Sequence, residues 1–150
     1  MSWYKNSKES QPAAVTFDRV VALLEKLEFN FQTLEGSVAI AAYFEGIPTM
    51  LVVEDANLVV RASTVGMQPA EAEYVTLLKW ANQWNFDAVF GTAVIDKAEG
   101  QPQLLVDTAF LTAEGMDDDQ LEQAVMIGIA HGVQAVQKYM EDFEIPALSA

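Results

Sequence analysis

The sequence predicts an α+β fold in the order αβββαββα: an antiparallel sheet carrying helices on one side or at its edges. Three observations predict it. Apolar residues recur at helical spacing near the start, middle and end of the chain, and short β-branched runs bounded by turn residues lie between them. The links between successive runs are too short for the crossovers that parallel strands need.

The first helix is expected from Ala13 to about Glu28, where Phe17, Val20, Val21, Leu24 and Leu27 share a face and Thr16 stands near the first turn. Three strands follow, Ser37–Phe44, Thr49–Val53 and Asn57–Ser63, with Phe29–Leu34 as an extension to the first. Pro69 is expected to open the second helix, Ala70 to about Asn85, because its missing N–H is an orphan at a helix start anyway, and Glu71 and Glu73 suit the helix dipole there. Ala88–Ile95 and Gln103–Leu111 read as a hairpin across the polar turn Asp96–Pro102. The last helix carries the clearest start signal: Asp117 as N-cap with Gln120 three residues on, followed by a run to about Phe143 that Glu144-Ile145-Pro146 ends. Residues 1–12 read as a polar, flexible N-terminal arm and 13–150 as a single domain, an ordinary size for one core.

Composition narrows the function classes. The 150 residues carry 8 Lys plus Arg against 22 Asp plus Glu, a formal net charge of −14, with no basic cluster. A nucleic-acid partner is excluded on that balance, and an anionic membrane surface is disfavoured. No cysteine is present, which removes disulfides, thiol nucleophiles and thiolate metal sites. The N-terminus has no apolar signal region, and the longest apolar stretch, Ala124–Ala130, is too short to span a bilayer, so the expectation is a cytoplasmic protein.

The order of elements, with Leu78-Lys79-Trp80-Ala81-Asn82-Gln83-Trp84-Asn85 closing the central helix before the hairpin and the long acid-capped helix, resembles the YbjN domain family of bacterial sensory transduction regulators. The resemblance spans roughly Ala13 to Phe143. It implies an architecture shared with type III secretion chaperones, small acidic dimeric proteins that hold partly unfolded partner segments. It also implies a non-enzymatic binding role, and it brings no catalytic residues with it.

Residues that could carry chemistry are few. His131 is the sole histidine and sits in an apolar helix, where a structural role is the expected one, and one His without Cys does not make a typical zinc site. Asp117, Asp118 and Asp119 are contiguous at a helix start, which suits capping and not the alternating ligands of a calcium loop. No phosphate-binding glycine motif or nucleophile elbow is present. No catalytic residue, metal or cofactor is assigned.

Two features remain. Trp80 and Trp84 share one helical face, as a core ridge or as one wall of a ligand pocket. Ala124, Gly128, Gly132 and Ala135 form a small-residue strip in the last helix, where each glycine costs about 1 kcal/mol relative to Ala. The strip implies a close approach, by the chain's own sheet or by a second copy in a homodimer. Leu121, Val125, Ile129, Val133, Val136 and Met140 flank it with further apolar surface. The expected function is a chaperone-like or regulatory module that binds a protein partner by apolar burial in a groove or by strand addition at a sheet edge. A small-molecule sensor with a pocket near Trp80 and Trp84 is the alternative.

Overall fold

The structure, a computed structural model, describes residues 12–97 and 100–148. Its elements are α1 (Phe17–Lys26), β1 (Phe31–Thr33), β2 (Ala39–Phe44), β3 (Ile47–Val53), β4 (Asn57–Ser63), α2 (Tyr74–Asp87), β5 (Thr92–Asp96), β6 (Gln103–Leu111) and α3 (Asp118–Asp142). The predicted α+β order is found, with the Phe29–Leu34 stretch supplying a short strand of its own. The expected arm falls outside the described residues except for Pro12.

The six strands form one antiparallel sheet in the order β1-β2-β3-β4-β6-β5. Its register sorts the side chains onto two faces. One face carries Ile40, Leu51, Val60, Val106 and Ala93, all buried in the core. Their neighbours Met50, Val52, Val59 and Leu105 point the other way and lie outside that core. α3 lies across β4 and β6, and α2 covers β5. α1 sits beside the start of α3, where Arg19 donates to the carbonyls of Ala13, Ala14 and Met116 and pairs with Asp118 at 3.0 Å. The described helices therefore occupy one face and leave the other bare. None of them is long and apolar enough to cross a membrane.

Local chemistry accounts for most boundaries. Thr16 accepts from the Arg19 amide and caps α1, and Asp117 with Gln120 forms a full capping box on α3. α2 departs from expectation: it begins at Tyr74, not beside Pro69. Ala70, Ala72 and Tyr74 are partly buried against the core while Glu71 and Glu73 face solvent, and the chain bends at Glu71 and Ala72 before the helix begins. Burial of those alanines overrides the helix-start signal of the proline. β5 likewise starts at Thr92, after Gly91 at φ +86, where an added Cβ would lie 3.1 Å from Val106 Cγ1.

Three glutamates occupy left-handed backbone: Glu28, Glu45 and Glu144, at φ 59, 52 and 51. Glu28 and Glu144 end α1 and α3 in Schellman turns. The amide of Phe29 reaches the Leu24 carbonyl at 3.0 Å, and that of Ile145 reaches Met140 at 2.9 Å. Glu45 precedes Gly46 in the two-residue turn between β2 and β3, where Asn or Gly is usual. Glu144→Gly is expected to raise stability by about 0.5–1 kcal/mol, since a side chain with Cβ is strained in this conformation. Urea denaturation reads the change, and a loss of stability contradicts the assignment of strain.

Candidate functional site

The small-residue strip of α3 faces its own sheet. A Cβ on Gly128 would lie 2.7 Å from Val60 Cγ2, and one on Gly132 would lie 3.0 Å from the Cβ of Ala62. Ala124 and Ala135 are buried beside them, as are Leu121, Val125, Ile129, Val133 and Val136. The dimer contact entertained for Ala124, Gly128, Gly132 and Ala135 is thus corrected to an internal one. What the sequence presents as two apolar faces is one broad face, wrapped by the sheet and the neighbouring helices.

Trp80 and Trp84 stack with ring centroids 5.6 Å apart, and Trp80 meets Tyr139 edge-on at 5.0 Å, with Phe143 beyond it. The Trp80 indole N–H donates to Asp142 Oδ2 at 2.8 Å, while Lys138 holds Oδ1 at 2.9 Å. The pair is therefore the seam between α2 and α3, and it leaves no gap between the rings for a ligand. Lys138 first, and Trp80 second, hold the Asp142 carboxyl below its ordinary range. Burial pushes the Tyr139 phenol up to about 12. His131 leans on Phe90 with ring centroids 5.1 Å apart, a packing contact. Asp117 is spent on the cap and Asp118 on Arg19.

Asn85 has a role the sequence did not disclose. Its side-chain amide donates to the Ala93 carbonyl and accepts from the Ala93 N–H, at 2.9 and 2.7 Å. It thus occupies the outward backbone groups of the edge strand β5 as another strand would. Strand addition at this edge would have to displace it. The opposite edge, β1, is three residues long.

Among the described residues, three apolar surfaces remain open. The first is the helix-free sheet face, where Val94 and Leu111 are 50 and 84% exposed and Met50 and Leu105 line a shallow hollow. Near its centre Arg61 and Asp107 form a two-bond ion pair at 2.7 and 2.8 Å, which raises the Arg61 pKa. The second is the outer side of α2. Val75, Leu78 and Phe86 follow one another at helical spacing away from the core, and Phe86 and Val89 are 85 and 86% exposed. The 75, 78, 86 spacing is present in the sequence, on the helix face opposite Trp80 and Trp84. The third is a groove of about 570 Å³ between α3 and the β2 end, with Phe29, Phe44, Met126, Ile129 and Val133 in its walls. Of the two readings of Trp80 and Trp84, core ridge or pocket wall, the packed seam fits the first, and the groove lies on the other flank of α3.

Two predictions test these contacts. Gly128→Ala is expected to lower stability by ~1–3 kcal/mol through overpacking against Val60, while Gly132→Ala stays within about 1 kcal/mol of wild type because helix propensity offsets a milder contact. Urea melts that reverse this order would refute the assigned approach. In the second, Lys138→Met and Trp80→Phe each raise the Asp142 pKa, the lysine change more. The depressed pKa stabilises the fold above the carboxyl's unfolded pKa, and that contribution is lost as pH falls through the folded value. Carboxyl NMR titration reads both variants, and an unchanged Asp142 pKa in both would discard the account.

The comparisons with known proteins agree with this architecture. No curated protein matches the sequence. Among solved structures, the chain is similar to the crystal structure of "YbjN, a putative transcription regulator from E. coli", with a TM-score of 0.77 and 13% identity, covering 90% of this chain and 97% of that one. At that identity the likeness speaks for the fold. The sequence model of the YbjN family, described as "Putative bacterial sensory transduction regulator", matches residues 16–138. The chain belongs to the YbjN family.

Proposed function

We propose that this protein is a non-enzymatic regulatory module that works by binding a protein partner and does so as a homodimer. The observation that carries the reading is a sheet that the described helices cover on one face only, with Val94 and Leu111 left open among the described residues around a self-paired Arg61–Asp107. Exposed apolar side chains in a contiguous area mark interaction surfaces. The family's description as a regulator supports the same class of function. Apolar burial is favoured over strand addition, since Asn85 already fills the β5 edge at Ala93.

The outer side of α2 supports self-association. Antiparallel pairing of two α2 helices about an axis at Asn82 sets Leu78 of one copy against Phe86 of the other, with Val75 toward the segment that follows the other copy's α2. One patch thus meets itself, as a two-fold interface requires. Light scattering on the wild-type protein is expected to give twice the chain mass. The double variant Phe86→Glu, Val89→Glu is expected to give one chain mass with an unchanged circular-dichroism spectrum, because both side chains already lie outside the core. A monomeric wild type, or an unaffected double variant, removes this interface. Partner binding is read separately by affinity capture from the source lysate. A single partner recovered by wild type and lost with Leu111→Glu plus Val94→Glu is the expected result. Capture that is indifferent to both changes counts against the sheet face.

A further inference from the structure

We infer that the groove between α3 and the β2 end takes a short amphipathic helix of a partner protein, apolar on its buried side and flanked by Lys or Arg. The inference rests on the protein-binding reading above and adds a second contact for the same partner, apart from the sheet face, with the chemistry that it selects.

The groove's shape favours a helix. Met126, Ala130 and Gln137 run along α3 on the groove side, a stretch of about 16 Å, or three turns. Ala130 at its middle is exposed and small, so a second helix can approach α3 to the ~8–10 Å typical of packed helices. Met126 is exposed as well and adapts its shape to what it meets. The rims are open: Glu28, Asn30, Tyr43, Glu45, Gln134 and Gln137 are all exposed. An open trough covers one side of a ligand, whereas small molecules are held in clefts that bury about 70–90% of their surface.

Charge selects the partner's sign. Among the described residues that line the groove, the charged ones are Glu28 and Glu45, and no Lys or Arg lines it. Both glutamates stand in left-handed backbone, at φ 59 and 52, where a glycine would serve the turn with less strain. Gln137 donates to Glu45 at 2.6 Å and fixes its carboxylate above α3 without neutralising it. The net charge of −14 adds to the same field. Cationic flanks on an apolar helix meet both features at once, and an anionic helix is repelled.

The test uses two labelled synthetic peptides of about 14 residues, or nearly four turns, with leucines at i, i+3, i+4 and i+7 and either Lys or Glu elsewhere. Binding is followed by fluorescence anisotropy and by amide chemical shifts of the full-length protein. The Lys peptide is expected to shift Phe44, Glu45, Met126, Ala130 and Gln134, and to leave Val94 and Leu111 unmoved. The Glu peptide is expected to bind about tenfold more weakly or less, and the Lys peptide to weaken several-fold with added salt. Ala130→Arg, a change at an exposed position, abolishes binding. Glu28→Gln with Glu45→Gln weakens it while keeping the apolar floor. Equal binding of the two peptides, shifts centred on the bare sheet face, or no shifts at millimolar peptide overturns the inference. So does a panel of small metabolites that moves the groove amides when the peptide does not. Native-partner capture that survives Ala130→Arg but fails with Leu111→Glu, Val94→Glu overturns the groove alone. Capture indifferent to all of these variants overturns the protein-binding reading as well.

Discussion

The close approach of α3 to β4 is the contact on which the rest of the molecule depends. Gly128 and Gly132 let the helix backbone settle onto Val60 and Ala62, closer than any residue with a Cβ would permit at the first position. Two glycines inside a 25-residue helix carry a helix-propensity cost of about 1 kcal/mol each. The burial of a broad α3 face offsets that cost, because each fully buried aliphatic side chain contributes about 1.5–3 kcal/mol. Val125 and Val136 are fully buried on this face, and Leu121 nearly so. The depth of α3 also sets where its neighbours can stand. α1 locks onto its start through Arg19, and α2 closes its far end through Trp80 and Asp142.

The same arrangement determines what stays open. Among the described residues three helices are too few to cover six strands on both sides, so they gather on one face and even there leave the β2 end beside α3 uncovered. α2 touches the core through Leu77, Ala81 and the tryptophans, and turns Val75, Leu78 and Phe86 outward. Apolar surface without an internal partner thus lies on the bare sheet face, on the outer side of α2 and in the groove. The polar groups near these surfaces are largely satisfied from within: Arg61 by Asp107, the Ala93 backbone by Asn85, and Glu45 by Gln137. On the sheet face and its edge this leaves apolar side chains as the main open surface among the described residues, while the groove keeps the exposed carboxylates of Glu28 and Glu45.

Some features were fixed by residues acting on their near neighbours. The capping box of Asp117 and Gln120 and the Thr16 cap depend on contacts a few residues apart, so the chain order alone determined them. The antiparallel order followed from the short links, and the charge balance from composition. The small-residue strip was legible as a demand for close approach. Its partner was not, because a glycine records that something comes near and does not record what.

Tertiary structure decided the rest, wherever the deciding energy comes from residues distant in the chain. It turned the strip toward Val60 and Ala62 instead of a second copy. It delayed the start of α2 to Tyr74, with Ala70 and Ala72 partly buried against the core, against the local preference of Pro69. It used Trp80 and Trp84 as a seam with Tyr139, and it opened the groove on the opposite flank of α3. It also sent Asn85 to the β5 edge. Periodicity identifies which face of an element is apolar. Which surface covers that face, and which face is left uncovered, depends on how many elements compete for the same sheet, and that is settled only when the layers assemble.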